Sequence, residues 1–307
     1  MIPALLSRAA RPLATRLLRF DDADFLSPAG EPAIVPPDSV SWQVFRNPVP
    51  LYIGGVAAVL LELGEPRVRT GVWDFSSFRR DPEARMRRTG AGAMITVYGA
   101  RSRFEAYVRQ VNALHGRVEG VTPAGRSFRA DDPELLGWVQ ATASFAFLAA
   151  YQAYVRPLSL TDRDCYYREA GTGAAWYGVV DPPASEHSLE ALFRAMEPGL
   201  EPSPVIHEFL HIMRTAPILP APLWPLQRLI ARAAVDLLPG HLRKQLGIDG
   251  EPRLNPLQHL LLRSAARTAA HVHIPDSPWS QACVRLGLSP DYLDQLNRPA
   301  SGARSRS

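Results

Sequence analysis

The chain has 307 residues, 46% apolar and 21% charged, and carries a formal net charge of +4. That composition is that of an ordinary globular protein with a large core. A charge so small and dispersed excludes an electrostatic binder of nucleic acid. Lys244 is the only lysine among the 34 basic residues; with the abundant alanine, this skew reflects a GC-rich genome rather than a task for arginine. Cys165 and Cys283 have no metal-ligand spacing and suit a reducing, cytoplasmic compartment.

Met1 to Phe20 carries arginines and no acid, but Pro3 and Pro12 interrupt it and no continuous apolar stretch develops. It reads as a short amphipathic helix that packs on the body or touches a membrane surface, not as a secretory signal. A transit peptide is the alternative if the source is eukaryotic. Ser27 to Ser41 is rich in Pro, Gly and Ser and reads as an extended connector. Residues 1–41 thus form an N-terminal segment and linker, 42–298 one helical domain, and the Ser/Arg-rich 299–307 a disordered tail.

Leu51 to Leu63 predicts a core helix, too short to span a bilayer, whose Gly54-Gly55 allows close approach of another helix or of a flat cofactor. Glu65 follows at that helix's end, either as a loop acid or as a base facing a pocket. Asp74 to Gly120 predicts two helices joined by a loop. The first sets Arg85, Arg88 and Thr89 near one side. The second has an apolar stripe at Phe104, Val108, Val111 and Val118, with His115 in line. An imidazole there is either a hydrogen-bonded core histidine or a metal ligand.

Thr122 to Asp132 reads as a loop, and Asp132-Pro133 opens a helix with an acceptor at the cap and proline in the first turn. Leu135 to Val155 has no charged residue. Its polar Gln140, Thr142, Ser144 and Gln152 favour a buried core helix over a membrane span. Helices follow from Ser159 and over Leu189 to Met196, then alternate with prolines beyond Pro202, and strands are scarce. His207-Glu208-Phe-Leu-His211 matches the zinc-hydrolase pattern H-E-x-x-H, yet no third ligand follows at a recognisable spacing. His271 and His273 read as surface histidines.

Three stretches in order, Asp74 to Thr89, Leu114-His-Gly-Arg-Val-Glu-Gly120 and Asp132-Pro-Glu-Leu-Leu-Gly-Trp-Val139, resemble the MpaB and latex-clearing-protein (rubber oxygenase) family. The resemblance runs from about Val49 to Leu246. It implies an all-α, globin-like helical fold with additional helices that binds haem b. The implied activity is oxidative cleavage or oxygenation of a C=C bond in an isoprenoid or lipid-like substrate by dioxygen, with no nucleic-acid partner and with peripheral membrane contact left open. His115, in His115-Gly-Arg-Val118, matches the axial ligand, which would leave the opposite face of iron open. Arg85, Arg88 and Thr89 match an Arg-x-x-Lys/Arg-Thr element: Arg85 suits a haem propionate, and Arg88 or Thr89 a hydrogen bond to the oxidant. Glu65 is the candidate distal carboxylate. Phe75, Gln140 and Glu119 depart from residues the family commonly carries. A haem carrier, sensor or peroxidase-like protein is the alternative, ahead of a zinc hydrolase.

Overall fold

The computed structural model describes Phe20 and residues 23–296, so the predicted N-terminal amphipathic segment and the tail lie almost wholly outside the described residues. Fourteen α-helices and one short hairpin make up its regular α and β structure, an all-α fold. The helices are α1 (Val40–Phe45), α2 (Pro48–Glu62), α3 (Pro66–Phe75), α4 (Pro82–Tyr98) and α5 (Arg101–His115), then α6 (Pro133–Tyr154), α7 (Leu160–Ala174), α8 (Glu186–Met196) and α9 (Pro204–Thr215). The last five are α10 (Trp224–Leu237), α11 (Gly240–Gln245), α12 (Pro256–Ala270), α13 (Pro278–Arg285) and α14 (Tyr292–Leu296).

Seven of these helices begin on a proline that follows a capping side chain. The caps are Asn47, Glu65, Asp81, Asp132, Ser203, Asn255 and Ser277, and each accepts from a backbone N–H in the first turn. Proline lacks the N–H that a first turn leaves unpaired, and the acceptor satisfies one of the others. This is how a chain with 29 prolines folds as helices.

The stretch from Asp74 to Gly120 is more divided than its pattern suggests. Asp74 lies in the last turn of α3, α4 and α5 follow, and Val118 lies between α5 and β1. Thr122 to Asp132, expected as a loop, contains a strand. Glu119–Val121 (β1) pairs antiparallel with Ser127–Arg129 (β2), with Gly120 opposite Phe128. Gly125 makes the turn at φ +80°, a conformation that glycine adopts without strain. Likewise the connector after Ser27 is cut short, because Ser39 caps α1 through a bond from the Trp42 N–H.

Helices α2 and α6 form the centre and pack on each other more extensively than any other described pair. Their close approach depends on Gly54: a Cβ there would lie 2.8 Å from Phe147 Cδ1 and 2.9 Å from its Cα. The uncharged α6 faces two cores. Trp138, Ala146 and Tyr154 join one with α2, α9 and α10; Ala141, Leu148 and Tyr151 join another with α1, α4 and α13. A helix apolar on most sides is what that position requires. No single helix among the described residues is long and apolar enough to cross a membrane; α2 and α3 together have the length and composition but are bent by 114°.

Two buried arginines tie the ends of the chain to this body. Arg46 donates to the carbonyls of Leu293 (2.7 Å) and Ala270 (2.6 Å) and pairs with Asp294. Arg285 donates to the carbonyls of Glu31 (2.9 Å), Phe25 (2.8 Å) and Tyr98 (2.8 Å).

Candidate functional site

His115 is the last residue of α5. The helix is held by buried Phe104 and Val108, by the edge of Phe104 against Trp176 and Tyr177 (centroids 6.0 Å apart in each pair), and by a bond from Asn112 Nδ2 to the Trp176 carbonyl (3.0 Å). The imidazole is half-buried, and its Nδ1 is buried with no hydrogen-bond partner among the described residues. Burial and the nearby charge of Arg85 lower its pKa below 6.5, against the opposing pull of Asp131. The ring is therefore neutral at pH 7 and has a lone pair to offer.

Arg85 on α4 is the hub of the cluster. It is half-buried, its Nη1 donates to Thr89 Oγ1 (2.5 Å), and that hydroxyl donates back to the Arg85 carbonyl (2.9 Å). Burial lowers its pKa, while Glu62 works in the other direction. Glu62 is the last residue of α2 and has no hydrogen bond or ion pair to other described residues. Burial pushes its carboxyl from 4.5 up to about 7, with Arg85 opposing the rise. Yet Glu62 keeps accessible surface. Glu62 is thus a desolvated carboxyl that still reaches accessible surface. Tyr107 of α5 completes the group. Burial raises its phenol and Arg85 opposes this. Its ring lies over Gly92, where a Cβ would come within 2.2 Å of the hydroxyl oxygen.

Half-buried side chains continue along the central helices. On α2 the half-buried Tyr52, Gly55, Val59 and Glu62 share one face at spacings of three and four, and on α6 so do Leu136, Gln140, Ala143 and Phe147. Phe147 Cε1 lies 4.0 Å from a Cβ built on Gly55, so the paired glycines divide the work: Gly54 admits the neighbouring helix and Gly55 leaves open space beside it. The Tyr52 hydroxyl and Gln140 Oε1 are buried without partners among the described residues. Apolar side chains with a few polar groups among them are the usual lining of a small-molecule or cofactor site.

The other expected residues are placed differently. Glu65 is buried at the N-terminus of α3. It accepts from the N–H groups of Arg67 (2.6 Å) and Val68 (2.9 Å) and pairs with Arg67 Nε at 2.7 Å. Its oxygens are engaged in capping, and Glu62 is the carboxylate whose charge Arg85 feels. Arg88 is exposed and reaches Ser77 Oγ (2.5 Å); Thr89 is exposed beside Arg85. Glu62 had a signal in sequence, as the single acid inside the apolar run Leu51 to Leu63. Phe75 is exposed against the edge of Phe128, Gln140 donates to Ser144 Oγ (2.9 Å), and Glu119 pairs with Arg129 (3.4 Å).

The H-E-x-x-H match falls on α9, where His207 meets Glu251 (3.1 Å) and Glu208 pairs with Arg79 (3.2 Å). Among the described residues no group of three metal-binding side chains is assembled, there or at His271 and His273.

Searches among curated proteins and among solved structures find no match. A family model described as "ER-bound oxygenase mpaB/B'/Rubber oxygenase, catalytic domain" matches residues 42–271, a span that contains Glu62, Arg85, Tyr107 and His115, and the chain belongs to that family.

Proposed function

We propose that this oxygenase-family chain uses haem b to oxidise a carbon–carbon double bond in a hydrophobic, isoprenoid or lipid-like small molecule with dioxygen. The observation that carries the reading is His115: a neutral imidazole with a buried nitrogen that has no partner among the described residues, beside a half-buried arginine. That donor set suits a flat, iron-bearing, carboxylate-bearing group. When bound, haem supplies the oxygen and electron chemistry.

The chain's own residues do the rest. His115 holds the iron by its lone pair. Arg85 binds a carboxylate and orients the group from α4. The walls of α2 and α6 exclude water and align an apolar chain. Glu62, pushed up to about 7, holds a proton on its carboxyl and exchanges it with a group bound beside Arg85. Thr89 accepts from Arg85 and steadies the guanidinium.

The test is the visible spectrum of the protein made with haem precursor, beside the His115→Ala variant. The expected result is a stoichiometric Soret band in the native chain and its loss in the variant. A protein that stays colourless after haem addition overturns the reading. Retained haem without oxygen uptake on any unsaturated lipid or terpenoid would keep the cofactor and remove the oxygenase. Under the full reading Glu62→Gln lowers kcat by about 100-fold or more while haem stays bound.

A further inference from the structure

Helix α12 presents an apolar face that the fold does not cover. Leu257, Leu260 and Leu261 each leave more than half of their surface in solvent (65, 60 and 54%). Their spacing puts them on one side of the helix, while Leu262 and Ala266 on the other side are buried in the α2–α6 core. Apolar side chains scattered singly over a surface need no explanation, but three within five residues do.

The charge beside them is one-signed. The sequence of α12 contains no Asp or Glu. Arg263 and Arg267 are exposed on it, and each donates only through Nε to a main-chain carbonyl, of Ala153 (2.8 Å) and Val155 (3.4 Å). Arg156, exposed just past the end of α6, donates to Gln43 Oε1 (2.9 Å). Among the described residues none of the three is paired with a carboxylate. The nearby acid Asp236 is already held by Arg253 (2.6 Å).

We propose that α12 docks the protein on an anionic lipid surface. The leucines enter the boundary between headgroups and acyl chains, and Arg156, Arg263 and Arg267 meet lipid phosphates. A helix with exposed leucines and arginines as its only charges is suited to lie in the plane of that interface, because burial and charge attraction add. No spanning helix is required, and the inference stands whether or not haem is the cofactor.

The test is co-sedimentation of the full chain with vesicles of phosphatidylcholine and phosphatidylglycerol in roughly two-to-one proportion, against phosphatidylcholine alone. Binding is expected on the mixed vesicles, weaker on the neutral ones and weaker with added salt. Leu260→Glu with Leu261→Glu should cut binding by about tenfold or more at unchanged circular dichroism, and Arg263→Gln with Arg267→Gln should cut it on mixed vesicles only. If the glutamates disturb the helix, serine at both positions serves instead. The proposal is overturned by absence of binding, by binding indifferent to lipid charge, or by leucine variants that bind as well as the native chain. A native dimer that the leucine variants split, with no vesicle binding, would assign the face to a second copy and equally overturn it.

Discussion

At the scale of single residues, Glu62 and His115 are two groups whose charged forms burial disfavours, with opposite consequences for pH. The Glu62 carboxyl titrates at about 7 in the folded chain and near 4.5 when unfolded. Between those values the native state holds a proton that the unfolded state has lost, so this group makes stability fall as pH rises through that window. Glu62→Gln should therefore stabilise the protein at pH 8, by about 2–3 kcal/mol, and change little at pH 4.5, as urea denaturation at the two values will show. His115 titrates below its ordinary value, so below about pH 6.5 the unfolded state takes up the proton first. In haem-free protein its contribution is a loss of stability on acidification, and removal of the ring should flatten that acid limb. Both residues were visible in the sequence, His115 in its apolar stripe and Glu62 inside an apolar run. Their environments were not, because desolvation is set by atoms from other helices. Glu65 looked equally suitable in sequence and is engaged by Arg67 and the first turn of α3 instead.

At the scale of elements, the pair Gly54-Gly55 gives a sharp contrast. Gly54→Ala places a methyl group against the Cα and ring of Phe147, so α2 and α6 must separate. The expected cost is about 1–3 kcal/mol, in spite of alanine's better helix propensity. Gly55→Ala meets only Phe147 Cε1 at 4.0 Å and should be neutral or stabilise by about 0.5–1 kcal/mol. Thermal melts of the two variants decide the matter, and equal shifts would refute the packing argument. The sequence showed that this helix allows a close neighbour; it could not assign one glycine to a helix and the other to open space. The short hairpin was illegible for a related reason. Three-residue strands carry too little alternation to read, and β1 is exposed at Val121.

At the scale of the whole molecule, Arg285 joins three distant segments by donating to Phe25, Glu31 and Tyr98. Arg285→Met would leave three carbonyls without their donor and should cost about 3 kcal/mol or more. Hydrogen exchange in the segment 23–32 should accelerate more than in α2 or α6. Uniform acceleration would mean that the arginine supports the body rather than the attachment of that segment. The sequence by itself determined the helical class, because capping side chains before prolines and apolar stripes are local signals that act within a turn or two. It also determined the family, through motifs spread along most of the chain. Only the tertiary structure decided which carboxylate stands by Arg85, that His115 has a nitrogen with no partner, and which face of α12 is left uncovered. Those properties are sums over atoms distant in sequence, and burial, charge and exposure exist only once the helices have packed.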